Sequence, residues 1–230
     1  MKKYLMAIAA LLAFFTPCAA AEGEAAAAAG EDFTKPGPFL GVRAGMGVTF
    51  PSGGHQYLAT GAGLNLGLVY NIPLGSRGRW YFEPGVMFSY MAMDCNDYIL
   101  ADGQLYEGVA RDYAIAVPLN FGYRFSPVGR WQFGVYTGPM IYFNLAAKER
   151  ITPDVGTPVP EPDVKINLFD KGWRRVDAGW GFGLTATFAG SYFIGITGGV
   201  AFTPLAVYGN RDNKVRVHRN TIALSLGYNF

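Results

Sequence analysis

Apolar and polar residues alternate along most of this chain with a period of two, from about residue 38 to Phe230. A period of two is that of a β-strand whose two faces meet different surroundings. The alternation predicts eight runs of about ten to fourteen residues, separated by turns and loops. The apolar faces of these runs begin at Leu40, Ala62, Trp80, Tyr113, Trp131, Val176, Tyr192 and Ile222.

The two faces of each run differ in a way that indicates lipid on one side. No residue of the apolar faces is charged, although 16% of the chain is Asp, Glu, Lys or Arg. The opposite face is mostly Gly, Ser and Asn with a few charges, which suits the crowded interior of a narrow barrel. We therefore predict an eight-stranded antiparallel up-and-down transmembrane β-barrel over residues 38–230. The alternative is a soluble lipocalin-like cup with its apolar face turned inward.

The connections between the runs alternate in length. Short connections fall at 73–79, 126–130 and 189–191, and longer polar ones at about 51–60, 91–110, 146–174 and 204–218. Short periplasmic turns and long extracellular loops are typical of bacterial outer-membrane barrels. Aromatic residues gather near both ends of the runs, as interfacial girdles require. With an even number of strands, both termini are expected in the periplasm.

The first residues predict export. Lys2 and Lys3 precede an apolar run over residues 5–15, and small residues follow at 19–21. This is the layout of a secretory signal peptide, which we assign to residues 1–21. Residues 22–37 are predicted to be a flexible periplasmic lead segment. Without the signal peptide, seventeen basic residues face seventeen acidic ones, which excludes the basic surface of a nucleic-acid-binding protein.

A set of charged residues occupies inward positions of the alternation. Because a lone buried charge is costly, these side chains must pair or face trapped water, and we predict a polar plug instead of a channel. Arg43 and Glu83 lie at similar heights, which predicts a buried ion pair with Arg124 close enough to share the carboxylate. The predicted lumen cluster is Arg43, Glu83, Asp112, Arg124, Arg175, Asp177 and Arg219.

An enzyme would need chemistry that the sequence supplies only weakly. The two histidines, His55 and His218, are predicted at the rim, and Ser52 is near His55 without a spaced acid. Cys95 has no partner once Cys18 leaves with the signal peptide, and we interpret it as an incidental loop thiol. The acids of the second loop lack the Gly and Glu positions of a calcium loop. These acids are Asp94, Asp97 and Asp102. We predict no catalytic residue, metal or cofactor.

Four strings of residues resemble the PorT-type outer-membrane β-barrel family. They are "FEPGVMFSY", "YAIAVPLNFGYRF", "WQFGVYTGPMIYF" and "NTIALSLGYNF", in that order. The resemblance covers about residues 38–230 and implies that the in-strand prolines 84, 118 and 139 are tolerated, with local bulges expected there. It also implies that the terminal Tyr228 and Phe230 form the signal read by the barrel-assembly machinery.

Most members of that family have no defined activity, and a few resemble parts of a protein-secretion apparatus. We therefore expect a non-enzymatic integral outer-membrane protein with a structural or surface-interaction role, or a PorT-like accessory of secretion. The alternative is a lipid-modifying enzyme or a small-molecule-binding barrel. The expected partners are outer-membrane lipids and lipopolysaccharide, the barrel-assembly machinery and, under the second role, secretion-system components. The protein is expected to be a monomer.

Overall fold

The fold is described from a computed structural model over residues 37–53, 58–75, 78–99, 105–153, 164–208 and 214–230. The predicted signal peptide and residues 22–36 of the lead segment lie outside the described residues. Ten strands are present in this part of the chain. They are β1 (Phe39–Ser52), β2 (Leu58–Leu74), β3 (Trp80–Ile99), β4 (Leu105–Arg124), β5 (Trp131–Pro153), β6 (Val164–Asn167), β7 (Val176–Phe188), β8 (Tyr192–Ala201), β9 (Ala206–Tyr208) and β10 (Val215–Asn229).

The eight long strands form a closed antiparallel barrel, which confirms the predicted fold. Its order is β1-β2-β3-β4-β5-β7-β8-β10, and β1 closes on β10 from Gly41–Asn229 to Ser52–His218. The short strands β6 and β9 pair with β5 and β10. We call the end with the connections at 75–79, 125–130 and 189–191 the short-turn end, and the opposite end the long-loop end.

The apolar faces point outward, away from the lumen. Leu66, Val86 and Leu184 are 58%, 56% and 61% exposed, and the other large exposed apolar side chains continue this band around the barrel. A lipocalin-like cup would bury these residues, so the alternative is wrong. Within the described ranges, no helix is long and apolar enough to cross a membrane.

Glycines on the inner face make room for large lumen side chains. A Cβ atom at Gly122 would clash with the ring of Tyr81, and one at Gly183 would clash with the ring of Tyr136. Both glycines are buried at inward positions of their strands. The many inward glycines of the sequence therefore allow a narrow barrel to hold bulky aromatic residues.

The expected bulges at the in-strand prolines are wrong. Pro84 pairs with Leu119, Pro118 with Met140, and Pro139 with Trp180, each in the same register as its neighbours. The ladder omits two pairs beside Pro84 and two beside Pro118, and then continues in the same register. The register shifts lie elsewhere, between Leu58 and Gly61, between Cys95 and Tyr98, and between Tyr113 and Ala114.

The strands extend further at the long-loop end than the alternation predicts. Most of the second loop is strand, because β3 continues to Ile99 and β4 begins at Leu105. The third loop likewise begins as strand, since β5 continues to Pro153. The outward positions here are no longer apolar, as Asp94 and Lys148 illustrate, so the lipid-facing signal fades although the strands persist.

An apolar core fills the barrel at this end. The 3-10 helix Leu168–Lys171 and β9 fold against the extended strands, and Trp173 Nε1 donates a hydrogen bond to the Tyr208 hydroxyl at 2.7 Å. Cys95 belongs to this core, so its interpretation as a loop thiol is wrong. The buried members are Leu58, Met91, Met93, Cys95, Ala110, Ala147, Leu168, Trp173, Leu205, Ala206 and Val217.

Candidate functional site

A buried polar cluster lies in the lumen toward the long-loop end; we call Arg219, Asp112, Asp177, Asn144 and Tyr142 the upper cluster. Arg219 Nη2 donates to Asp112 Oδ2 at 2.8 Å, to Asp177 Oδ2 at 3.2 Å and to Asn144 Oδ1 at 3.1 Å. Asn144 Nδ2 also donates to Asp177 Oδ2 at 2.9 Å. The guanidinium carbon lies 4.5 Å from the centre of the Tyr142 ring. One arginine therefore holds two carboxylates that are each 1% exposed.

The strand register brings this cluster together. Asp177 on β7 pairs with Tyr142 on β5, and Asp112 on β4 pairs with Ala147 on β5. Arg219 reaches them from β10 across the lumen. Asp112 Oδ1, Asp177 Oδ1 and Arg219 Nε are buried and make no hydrogen bond to an atom of the described residues. The charged groups at the centre of the cluster are thus hydrogen-bonded to one another, and three polar atoms at its edge lack such a bond.

A second cluster lies toward the short-turn end; we call Arg43, Glu83, Asn71, Arg124 and Phe193 the lower cluster. Arg43 Nη2 lies 3.7 Å from Glu83 Oε2, and the Arg43 guanidinium carbon lies 3.9 Å from the centre of the Phe193 ring. Asn71 Nδ2 donates to Glu83 Oε2 at 2.9 Å, and Arg124 Nη2 donates to Asn71 Oδ1 at 2.5 Å. Arg124 therefore reaches the carboxylate through Asn71, not by sharing it directly.

A cavity of about 140 Å³ separates the two clusters. Arg43 and Glu83 line one end and Arg219 the other, with Asn65, Ser89, Asn120, Tyr136 and Thr197 among the polar lining residues between them. Most of the cavity wall is apolar, and the polar groups are concentrated at these few side chains and at the two charged ends. The lumen thus contains a small, mostly apolar cavity between two ionic layers.

The structure places five of the seven predicted lumen residues in buried positions. Arg124 is partly buried near the short-turn end. The prediction for Arg175 is wrong, because this side chain is exposed and its guanidinium carbon lies 4.4 Å from the centre of the Phe169 ring. Strand β7 begins only at Val176, so the inward phase of the alternation does not extend back to Arg175.

Two amides that connect the charges are absent from the lumen cluster predicted from the sequence. Asn71 bridges Glu83 and Arg124, and Asn144 bridges Arg219 and Asp177. Both asparagines occupy inward positions of the alternation, which is the signal that could have identified them. The predicted lumen cluster contains only charged residues, so these neutral side chains at inward positions are not part of it.

The rim residues that the structure describes do not assemble into a recognisable catalytic group. Ser52 and His218 are directly opposite each other on β1 and β10, but Ser52 Oγ accepts a hydrogen bond from Asn220 Nδ2 at 3.0 Å. His55 lies outside the described residues, as do the side chains of Asp97 and Asp102, whereas Asp94 is exposed. In the described ranges, no three His, Cys, Asp or Glu side chains come together as a metal site requires.

The terminal aromatic residues lie on the outer face at the short-turn end. The rings of Tyr228 and Phe230 are 5.3 Å apart, and those of Tyr192 and Tyr228 are 5.5 Å apart. The backbone N–H of Phe230 donates to the Leu40 carbonyl at 2.8 Å, which ties the chain end to the first strand. Reading of Tyr228 and Phe230 by the assembly machinery stays a prediction.

Residues 35–213 match a family described as the outer membrane protein beta-barrel domain. This match covers more than half of the chain and therefore shows the family. It also establishes that the protein is integral to the outer membrane. No curated protein sequence matches the chain.

A comparison with solved structures finds several proteins that match most of this chain at low similarity. Neisserial surface protein A is 12% identical with a TM-score of 0.38, and 83% of this chain and 97% of that chain are covered. Ail, the attachment invasion locus protein of Yersinia pestis, is 14% identical with a TM-score of 0.38, covering 84% and 99%. The N-terminal barrel domain of Pseudomonas aeruginosa OprF is 14% identical with a TM-score of 0.29, covering 83% and 97%. Identities this low transfer no activity.

Proposed function

Because this chain belongs to the outer membrane protein beta-barrel domain family, we propose that it is a non-enzymatic, non-conducting barrel that presents its long-loop end as an interaction surface outside the cell. The observation that carries this proposal is the structured long-loop end, where extended strands surround a buried apolar core. Loops that only connect neighbouring strands need no packed apolar core. Ordered segments at the end of a rigid scaffold are where binding functions concentrate.

The state of the lumen supports the same proposal. Both ionic layers and the apolar core lie across the path that a solute would follow. A barrel of eight strands has an interior just wide enough for side chains to fill. We therefore assign the function to the outer surface and not to transport.

The proposed orientation places the long-loop end outside and both termini in the periplasm. We expect Lys165→Cys, an exposed position on β6, to react in intact cells with a maleimide that cannot cross the membrane. The matched variant Ser126→Cys, exposed at the short-turn end, should react only after the outer membrane is permeabilised. The native Cys95 is buried and gives the background, which the unsubstituted protein measures. If only Ser126→Cys reacts in intact cells, the barrel has the opposite orientation to the one proposed.

A second candidate is a PorT-like accessory of protein secretion, which the four family-like strings favour. The two roles separate in a strain that lacks the gene. Loss of cargo-protein export in that strain supports the secretion role. Normal export of cargo proteins in that strain favours the role as an interaction surface.

The absence of lipid-modifying activity is tested at the facing pair Ser52 and His218. We expect Ser52→Ala and His218→Ala to leave the lipid A and phospholipid composition of the cells unchanged, because Ser52 is hydrogen-bonded to an amide instead of an activating base. Thin-layer chromatography and mass spectrometry of the extracted lipids measure this composition. A changed lipid profile in either variant, at normal protein level, would favour the enzyme alternative.

A further inference from the structure

Four basic residues form a patch on the outer face of the barrel, just beyond the band that faces lipid. The patch consists of Arg111 on β4, Lys148 and Arg150 on β5, and Lys165 on β6. Three of these side chains are exposed and Arg111 is half-buried. The strand register arranges them in two rows. Arg111 is directly opposite Lys148 in the first row, and Arg150 is directly opposite Lys165 in the second.

A β-bulge directs the β5 members of the patch outward. Tyr113 pairs with Ala146 and the next residue of β4 pairs with Asn144, so Leu145 is the extra residue on β5. Below the bulge the odd-numbered residues of β5 face out, and above it Lys148 and Arg150 face out while Glu149 is buried. Without the bulge, Glu149 would face outward and the two cations would point into the lumen. The bulge thus replaces an acid with two cations on the outer face.

Like charges directly opposite each other destabilise a sheet, because their Cβ atoms are only about 4.5–5.5 Å apart. Here this occurs in two adjacent rows. Within the described part of the chain, no acidic side chain forms a salt bridge with Arg111, Lys148 or Lys165. Asp94 is at the level of the second row, because it pairs with Val109, which pairs with Arg150. Glu107 pairs with Thr152, two residues further from the lipid-facing band than the second row. Among the described residues, the first row, nearest the lipid-facing band, therefore contains two cations and no acid.

The height of the first row matches a lipid headgroup. Tyr90 and Tyr113, whose rings are 5.1 Å apart, mark the aromatic level at this end of the barrel. Arg111 is two residues beyond Tyr113, which is about 7 Å along the strand and about 5 Å along the membrane normal for a strand tilted by about 45°. The polar interface of a bilayer leaflet extends about 5–8 Å beyond the hydrocarbon core. Arg111 and Lys148 therefore lie at the level where lipid phosphates are found.

We propose that Arg111 and Lys148, supported by Arg150 and Lys165, bind the phosphate groups of anionic lipopolysaccharide in the outer leaflet. Two adjacent cations on neighbouring strands can hold one phosphate between them, and the phosphate in turn removes their repulsion. This assignment of the leaflet rests on the orientation proposed above. The binding chemistry itself requires only the patch.

The test uses the full barrel in a neutral maltoside detergent and the bis-phosphorylated lipid A as the probe, with bound lipid counted by native mass spectrometry. Each basic residue near an anionic surface contributes about fivefold to binding, so Arg111→Gln/Lys148→Gln should weaken binding roughly 25-fold. The control Lys171→Gln/Arg174→Gln makes the same charge change at exposed positions of the same end and should bind like the unsubstituted protein. The charge-keeping exchange Arg111→Lys/Lys148→Arg should also retain binding.

Several results would overturn the site. Equal losses in the two Gln double variants would mean diffuse attraction, and no loss in Arg111→Gln/Lys148→Gln would mean that the patch does not bind. Equally tight binding of dephosphorylated lipid A would mean that acyl chains, not phosphates, are recognised. Heat-dependent gel mobility confirms that each variant is folded. Because the measurement is made in detergent, its outcome is independent of the labelling experiment that tests the orientation.

Discussion

Replacing Arg219 with methionine should lower the free energy of unfolding of the barrel by about 3–5 kcal/mol, because two buried carboxylates lose the arginine that pairs with both of them. Arg219 Nη2 contacts both Asp112 and Asp177, and all three side chains are nearly fully buried. Methionine keeps most of the volume, so the loss reports on charge and not on a cavity. The measurement is the denaturant midpoint of the detergent-solubilised protein, followed by tryptophan fluorescence.

Two further variants separate this effect from general damage. Arg216→Met changes an exposed arginine on the same strand and should shift stability by less than about 0.5 kcal/mol. Adding Asp112→Asn and Asp177→Asn to Arg219→Met removes the unpaired charges and should restore part of the lost stability. If Arg219→Met and Arg216→Met behave alike, the upper cluster contributes nothing to the stability of the fold.

Glu83→Ala is expected to have the next largest effect, also about 3–5 kcal/mol, because it leaves Arg43 and Arg124 in a narrow lumen with no carboxylate between them. Glu83 lies 3.7 Å from Arg43 and accepts a hydrogen bond from Asn71 at 2.9 Å. Glu83→Gln keeps a polar side chain of the same shape and should cost less than Glu83→Ala. Unfolding midpoints in detergent again make the comparison.

The control for this prediction is Asp94→Ala, on the same strand but exposed. It should leave the midpoint nearly unchanged, as surface substitutions usually do. A midpoint for Glu83→Ala as high as that of Asp94→Ala would show that the lower cluster is not an ion-pair network. The predicted heights of Arg43 and Glu83 would then be coincidental.

The barrel could be predicted from the sequence because lipid imposes a simple rule on its outer face. Leu66, Val86 and Leu184 satisfy that rule, and the alternate residues of the same strands line the lumen. The rule applies only to the part of each strand that faces the lipid. Beyond the aromatic level the outward positions become polar, so the alternation predicts loops where β3, β4 and β5 in fact extend.

The lumen could be predicted in part for a related reason. The inward phase identified Arg43, Glu83 and Arg219, but the amides that link the charges have no distinctive pattern in the sequence. Arg175 was misplaced because the start of a strand is set by tertiary pairing and not by alternation. The bulge at Leu145 was also invisible, although it decides which residues of β5 face outward.

The measurement that tests the central claim most directly is the conductance of the purified barrel in a planar lipid bilayer. A lumen closed by two ionic layers and an apolar core should give no stable current steps above the bare bilayer, over a range of voltages and salt concentrations. Protein insertion is verified in the same samples by protease protection. Reproducible current steps from verified, folded barrels would contradict the account, because they would show that the lumen is a pathway and not a plug.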